Sequence, residues 1–170
     1  MLRNMTSIYI EFNNKMLLLY RVGSRVGEPS WRGIGGHFEK EELNNPTACV
    51  LRELFEETEI TKNDISDIKL KYITLRSINN EIRQNYYYFA NLHNENININ
   101  KCTEGNLEWV HIEKVLDREM PFTAKECLKH YLSVGKYDDK VYAAVANCNG
   151  VNFTELDKWI TLWDTKYNIE

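Results

Sequence analysis

Two stretches decide the reading of this chain: Gly33-Ile34-Gly35-Gly36-His37-Phe38-Glu39 and Arg52-Glu53-Leu54-Phe55-Glu56-Glu57-Thr58. The first is a glycine-rich turn, where a missing Cβ lets the backbone approach a ligand closely and lets a carbonyl turn inward. The second has the composition of a helix. At about 100° per residue, Glu53, Glu56 and Glu57 fall within an arc of roughly 100°, because positions i, i+3 and i+4 share a face. Ala48, Leu51 and Phe55 are expected on the opposite side, seating the helix on the core. Three crowded carboxylates repel, and like charges at this spacing cost a helix a few tenths of a kcal/mol. A hard divalent cation suits such an all-oxygen set, and Mg²⁺ in particular bridges carboxylates to phosphates. Arg52 is placed to neutralise or orient one of the carboxylates. The layout is that of metal-assisted phosphoryl chemistry.

Around this centre the chain alternates strands and helices. Ser7 to Phe12 and Met16 to Val22 flank Asn13-Asn14 and predict a hairpin; Gly23 to Trp31 then reads as a loop. Asn45 before Pro46 is a good helix start, with proline where no amide bond is needed, and the helix should run to about Thr58. Lys69–Ile78 and Ile82–Leu92 flank Asn79-Asn80 as a second hairpin, and the Asn-rich stretch from His93 to Thr103 is a loop before a short strand near Leu107–His111. Thr123 and Glu126 have capping-box spacing for a helix from Ala124 to about Leu132. Val141–Ala146 and Val151–Phe153 surround an Asn149-Gly150 turn. Leu156, Trp159, Ile160, Trp163 and Tyr167 recur at helical spacing, predicting an amphipathic tail helix.

With 170 residues, 43% hydrophobic and 27% charged, the chain suits one domain with an adequate core. The expectation is a single domain over 1–170, ending in a hairpin and tail helix from about residue 140. No stretch is long enough to span a bilayer and none resembles a signal peptide, so the reading is soluble and cytoplasmic. Cys49, Cys102, Cys127 and Cys148 are scattered and form no zinc or disulfide pattern. His37, His93, His111 and His130 lack metal-ligand spacing and read as structural or solvated. Net charge is −4, against a protein that grips nucleic acid by basic excess. A polyphosphate still suits an acidic site when cations lie between.

The run from Gly35 to Ile60, GGHFEKEELNNPTACVLRELFEETEI, resembles the box of the Nudix hydrolase family. Its second half, Arg52 to Glu57, matches at each fixed position. The resemblance implies an α/β fold, an α/β/α sandwich with a mixed β-sheet. It also implies dependence on Mg²⁺ or Mn²⁺, and hydrolysis of a nucleoside diphosphate linked to another group. Two departures stand out. The spacer between Gly36 and Arg52 is two residues longer than usual, leaving Glu39, Glu41 and Glu42 as rivals for the first-half glutamate; Glu42 is preferred. The usual glycine after Glu-Glu-x is Glu59, and a side chain in a left-handed helix terminus costs on the order of 1 kcal/mol.

Carried across, the family's metal ligands become the Gly35 carbonyl, Glu53, Glu56 and Glu57. Glu104, shortly before the Glu108-Trp109 pair, resembles the loop acid that relatives add. Arg52 completes the catalytic set, and Glu53, Glu56 and Glu104 share candidacy for orienting the attacking water. Arg21, Arg25 and Arg32 are weaker phosphate-binding candidates. Residues of the Tyr86–Phe89 run, and the Met120-Pro121-Phe122-Thr123 stretch with Phe122, are candidates for a base pocket. The resemblance points first to a nucleoside triphosphate pyrophosphohydrolase yielding NMP and pyrophosphate, with 8-oxo-dGTP a candidate substrate. ADP-ribose, dinucleoside polyphosphates, nucleotide sugars and RNA caps are alternatives, as is a non-catalytic nucleotide sensor. The partner is then a nucleoside diphosphate-linked small molecule, and the chain a monomer or homodimer.

Overall fold

Asn13 and Asn14 both take left-handed backbone angles (φ 46° and 60°) and fold β1 (Leu2–Phe12) back onto β2 (Lys15–Arg21). Asparagine tolerates this region better than most side chains, and two such residues match the natural twist of a tight hairpin. Asn79 and Asn80 repeat the device (φ 50° and 60°) between β4 (Ile65–Ile78) and β5 (Glu81–Leu92). The remaining elements are β3 (Ser30–Arg32), α1 (Pro46–Thr58), β6 (Gly105–His111), α2 (Phe122–Ser133), β7 (Tyr142–Asn147) and β8 (Gly150–Glu155). The computed structural model describes residues 1–22, 28–93, 102 and 104–156.

The strands form one mixed eight-stranded sheet in the order β3-β2-β1-β5-β4-β7-β8, with β6 also pairing β2. β1 runs parallel to β5 and β4 parallel to β7, and the other pairs are antiparallel. Ile8, Tyr9 and Ile10 are all fully buried, as are Met16 to Leu19. Alternate side chains therefore meet protein on both faces of the sheet. Ile8, Ile10, Leu17 and Leu19 pack with Val50 and Leu54 of α1. Tyr9, Met16, Leu18, Tyr87 and Phe89 pack with Cys127, Leu128 and Tyr131 of α2. One helix on each face makes the α/β/α sandwich.

The residues seating α1 differ from those expected. Cys49, Val50, Leu54, Glu57 and Thr58 are the buried ones, whereas Phe55 is 52% exposed. Leu51 packs only at the edge of that core. Glu57 thus lies on the inward face of the helix and Glu53 at its edge, while Glu56 stays exposed. The helix begins as expected: the Asn45 side chain accepts from the Ala48 amide at 3.1 Å. It ends on Glu59 at φ 61°, with the Glu59 amide donating to the Phe55 carbonyl at 2.8 Å.

Other boundaries moved. β1 starts at Leu2 and β4 at Ile65, and Ser30 and Trp31 of the expected loop are strand. α2 starts at Phe122 with Pro121 before it, and Thr123, buried inside the first turn, provides no cap. The last hairpin turns at Cys148-Asn149, because Asn147 pairs Gly150. All four cysteines are free. No helix among the described residues is long and apolar enough to cross a membrane. The predicted tail helix and Arg25 lie outside the described residues.

Candidate active site

The glycine turn lies alongside β1. The Thr6 amide donates to the Gly36 carbonyl at 2.9 Å, and Ile8 and Ile34 exchange both their amide bonds. Gly35 takes φ +145°, and a Cβ there would stand 2.3 Å from the Thr6 carbonyl oxygen; only glycine fits. Its freed amide donates to Glu57 Oε2 at 3.2 Å. At Gly36 a Cβ would stand 2.4 Å from a Glu53 carboxylate oxygen, so that carboxylate fills the space a side chain would take. α1 is thereby pressed against the turn by two of its acids.

Glu57 is 3% exposed, and its Oε1 has no hydrogen-bond partner. Burial, and next the neighbouring Glu104 carboxyl, push its pKa up to about 8. Burial also raises that of Glu53, against the pull of Arg52. A carboxyl in this position favours a proton unless a cation replaces it. Glu104 is additionally ion-paired to Arg21.

Arg52 organises the remaining acids. Its Nε and Nη2 bond the two oxygens of Glu42 at 2.8 and 2.9 Å. Nη1 donates to Glu53 Oε1 and Glu56 Oε2, each at 2.9 Å, and Nη2 reaches the His37 carbonyl at 3.0 Å. Glu42 also accepts from the Glu39 amide at 2.9 Å. The Arg52 guanidinium beside it draws the Glu42 pKa down to about 2. Of the three rivals in the long spacer, Glu42 is the one that meets Arg52. The two extra residues are absorbed in the turn around Lys40–Glu42 before the helix.

Glu53 and Glu57 face the turn together, while Glu56 is more exposed and held beside Glu53 through Arg52. Among the described residues no three acidic, histidine or cysteine side chains already converge on one point; Glu53 and Glu56 are drawn onto Arg52 while Glu57 lies on the Gly35 amide. The donor set nonetheless fits a hard divalent cation: it is all oxygen, it includes an unbonded buried carboxylate oxygen, and it adjoins a turn stripped of side chains.

Gly35, Gly36 and Glu104 open onto a cleft of about 930 Å³ running over the α2 side of the sheet. Arg21 and Arg32 line it, and Arg32 carries a buried Nε without a partner. Of the proposed base-pocket residues, Tyr87, Met120, Pro121 and Thr123 line the cleft. Phe122 does not; it is 54% exposed on the outer side of α2.

The NUDIX domain profile matches residues 1–131. The chain belongs to the NUDIX domain family. That family consists of hydrolases acting on nucleoside diphosphate derivatives, generally with a divalent metal. Among solved structures the chain is similar to a mutator MutT protein from Bacillus halodurans, at 25% identity over 91% of this chain and 95% of that one, with a TM-score of 0.65. It is also similar to a MutT protein from Methanosarcina mazei, at 21% identity over 78% and 94%, TM-score 0.64. An Ap4A hydrolase from C. elegans matches at 18% identity over 78% and 95%, TM-score 0.61. The last two likenesses are of fold. The β7–β8 hairpin follows the stretch matched to the family and extends the sheet at its β4 edge.

Sequence reasoning missed four cleft residues: His37, Arg3, Arg76 and Arg83. His37 had a signal, since it follows the glycine pair directly. The Asn79-Asn80 hairpin implies that Arg76 faces Arg83, whereas Arg3 had no signal, because only the β1–β5 register brings it beside them.

Proposed function

We propose that this chain hydrolyses the diphosphate linkage of a nucleoside triphosphate or a related derivative, releasing NMP and pyrophosphate. The observation that carries this is Glu57: a nearly fully buried carboxyl with an unbonded oxygen, held by the Gly35 amide next to Glu53 and Glu104. A buried acid without a neutralising basic partner is costly as a structural element and suits a cation-dependent site.

Glu53, Glu56, Glu57, Glu104 and the Gly35 carbonyl would hold Mg²⁺ or Mn²⁺. A bound cation supplies charge screening of the diphosphate and acidifies an attacking water. Arg52 holds Glu53 and Glu56 in position and takes no part in bond making; it is a positioning residue. Glu53 stands behind the bare backbone of Gly36, which lines the cleft as Glu53 itself does not, and its raised pKa suits it to accept the proton of water. Water oxygen bonds to phosphorus, the bond from that phosphorus to the bridging oxygen breaks, and pyrophosphate leaves. Arg21 and Arg32 flank the cleft, where guanidinium groups match phosphate oxygens. The similarity to a mutator MutT protein supports testing oxidised purine triphosphates such as 8-oxo-dGTP first.

The test is a panel of canonical and oxidised NTPs, ADP-ribose, diadenosine polyphosphates and nucleotide sugars, assayed for kcat/KM with Mg²⁺ and with Mn²⁺. Turnover of a triphosphate to NMP and pyrophosphate, abolished in Glu57→Gln, is expected. Inertness of the whole panel would overturn the reading.

A further inference from the structure

Strand register aligns three arginines across adjacent strands: Arg3 of β1 pairs Arg83 of β5, and Arg83 pairs Arg76 of β4. One step along, Met5, Asn85 and Thr74 form the neighbouring row, and Met5 is bridged to His37. All seven residues line the same cleft. At about 4.8 Å between strands and 3.3 Å per residue, Arg83 lies roughly 14 Å from Gly36. Arg83 and Arg76 therefore stand beyond β1 from the glycine turn, with Arg3 on β1 between them and His37.

Like charges directly opposite one another destabilise a sheet, so the row requires compensation. Glu81 supplies one carboxylate, 3.1 Å from Arg83 and 3.8 Å from Arg3. Among the described residues Arg76 pairs with no acid, although it is only partly exposed, and both burial and Arg83 depress its pKa. Three guanidinium groups against one carboxylate leave an excess of two positive charges. The acids of the cleft, Glu28, Glu104 and Glu119, adjoin β2 and β3 instead: Glu28 near β3, Glu104 on Arg21, and Glu119 through its carbonyl on Trp31.

We propose that Arg76 and Arg83, with Arg3 beside them, form a second anion subsite that takes a phosphate carried on the nucleoside part of the substrate, remote from the diphosphate that is cut. A phosphate dianion matches the two-charge excess, and its oxygens match guanidinium forks. The inference rests on the reading of the cleft as a nucleotide site and narrows the substrate class to nucleotides bearing an additional ribose phosphate.

The test is calorimetric binding to the intact protein with Mg²⁺ present, using 5′-monophosphates of adenosine and guanosine and their 2′,5′- and 3′,5′-bisphosphates. None of these contains an anhydride to be hydrolysed. At least one bisphosphate should bind tenfold or more tightly than its monophosphate, with a steeper fall in affinity on adding salt. Arg76→Gln should reduce that gain below threefold and Arg76→Lys should restore part of it, with melting temperatures of both variants no lower than wild type. The position preferred, 2′ or 3′, identifies the phosphate. Equal affinity for all three compounds, binding of none of them, or binding of inorganic phosphate without a bisphosphate gain would overturn the subsite. Turnover of ordinary triphosphates without a bisphosphate preference sinks this inference alone, whereas a retained preference with no hydrolysis of any panel member or of a triphosphate carrying a 2′- or 3′-phosphate sinks the hydrolase reading alone.

Discussion

Glu57→Gln should match the stability of the cation-free wild type near pH 4 and become increasingly the more stable protein as pH rises toward 8. In the folded chain the Glu57 pKa is raised from 4.5 to about 8, mainly by burial and then by Glu104. The folded state therefore holds a proton that the unfolded state has released, and wild-type stability falls as pH rises from about 4.5 through about 8. At about 1.4 kcal/mol per pH unit the loss approaches a ceiling of about 5 kcal/mol. Glutamine keeps an acceptor for the Gly35 amide, carries no charge, and escapes that loss. The assay is urea unfolding of both proteins in chelator at pH 4, 6, 8 and 9. Adding Mg²⁺ at pH 8.5 should then stabilise wild type, by about 2.7 kcal/mol at a hundredfold excess over Kd, and leave the variant unmoved. Parallel pH profiles for the two proteins, or a variant less stable at pH 9, would refute the argument that Glu57 is a buried acid awaiting a cation.

Arg52→Ala should cost about 3 kcal/mol or more in thermal or urea unfolding, because it strands the buried Glu42 carboxylate without its partner. The same pair predicts an acid limb: Glu42, drawn down to about 2, contributes stability that is present above pH 4.5 and lost as pH falls toward 2, and Glu42→Gln should flatten that limb. Gly36→Ala should reduce kcat strongly at small cost in stability, since its Cβ displaces only the mobile end of Glu53. Gly35→Ala should instead cost several kcal/mol of folding stability by urea titration, because its clash is with Thr6 backbone at positive φ. Glu59→Gly should raise stability by up to about 1 kcal/mol, relieving a left-handed side chain; a drop in melting temperature would contradict this.

Much of the site was legible in the chain because its parts are close in sequence. The arc of Glu53, Glu56 and Glu57 follows from helical periodicity, and the glycine turn and Asn45-Pro46 start from local backbone chemistry. The paired asparagines marked two hairpins for the same reason. The face on which α1 is buried was not legible. Helical spacing shows which residues sit together but not which side turns inward, and the short buried run of Cys49, Val50 and Leu54 outweighs the larger Phe55. Likewise the Thr123 capping signal was genuine in spacing, yet burial of that residue moved the helix start to Phe122.

By itself the amino-acid sequence determined which acids cluster on one helical turn, the candidate set for a divalent cation, and the alternation of strands with helices, all of which depend on contacts within a few residues. Only the tertiary structure decided that Glu42 meets Arg52, that Glu57 is sealed against Gly35 beside Glu104, and that Arg3, Arg83 and Arg76 stand in a row. Apart from Arg76 and Arg83 across one hairpin, those relations join segments separated by 10 to 80 positions, and what brings them together is strand register and the burial of both sheet faces, neither of which is encoded in local spacing.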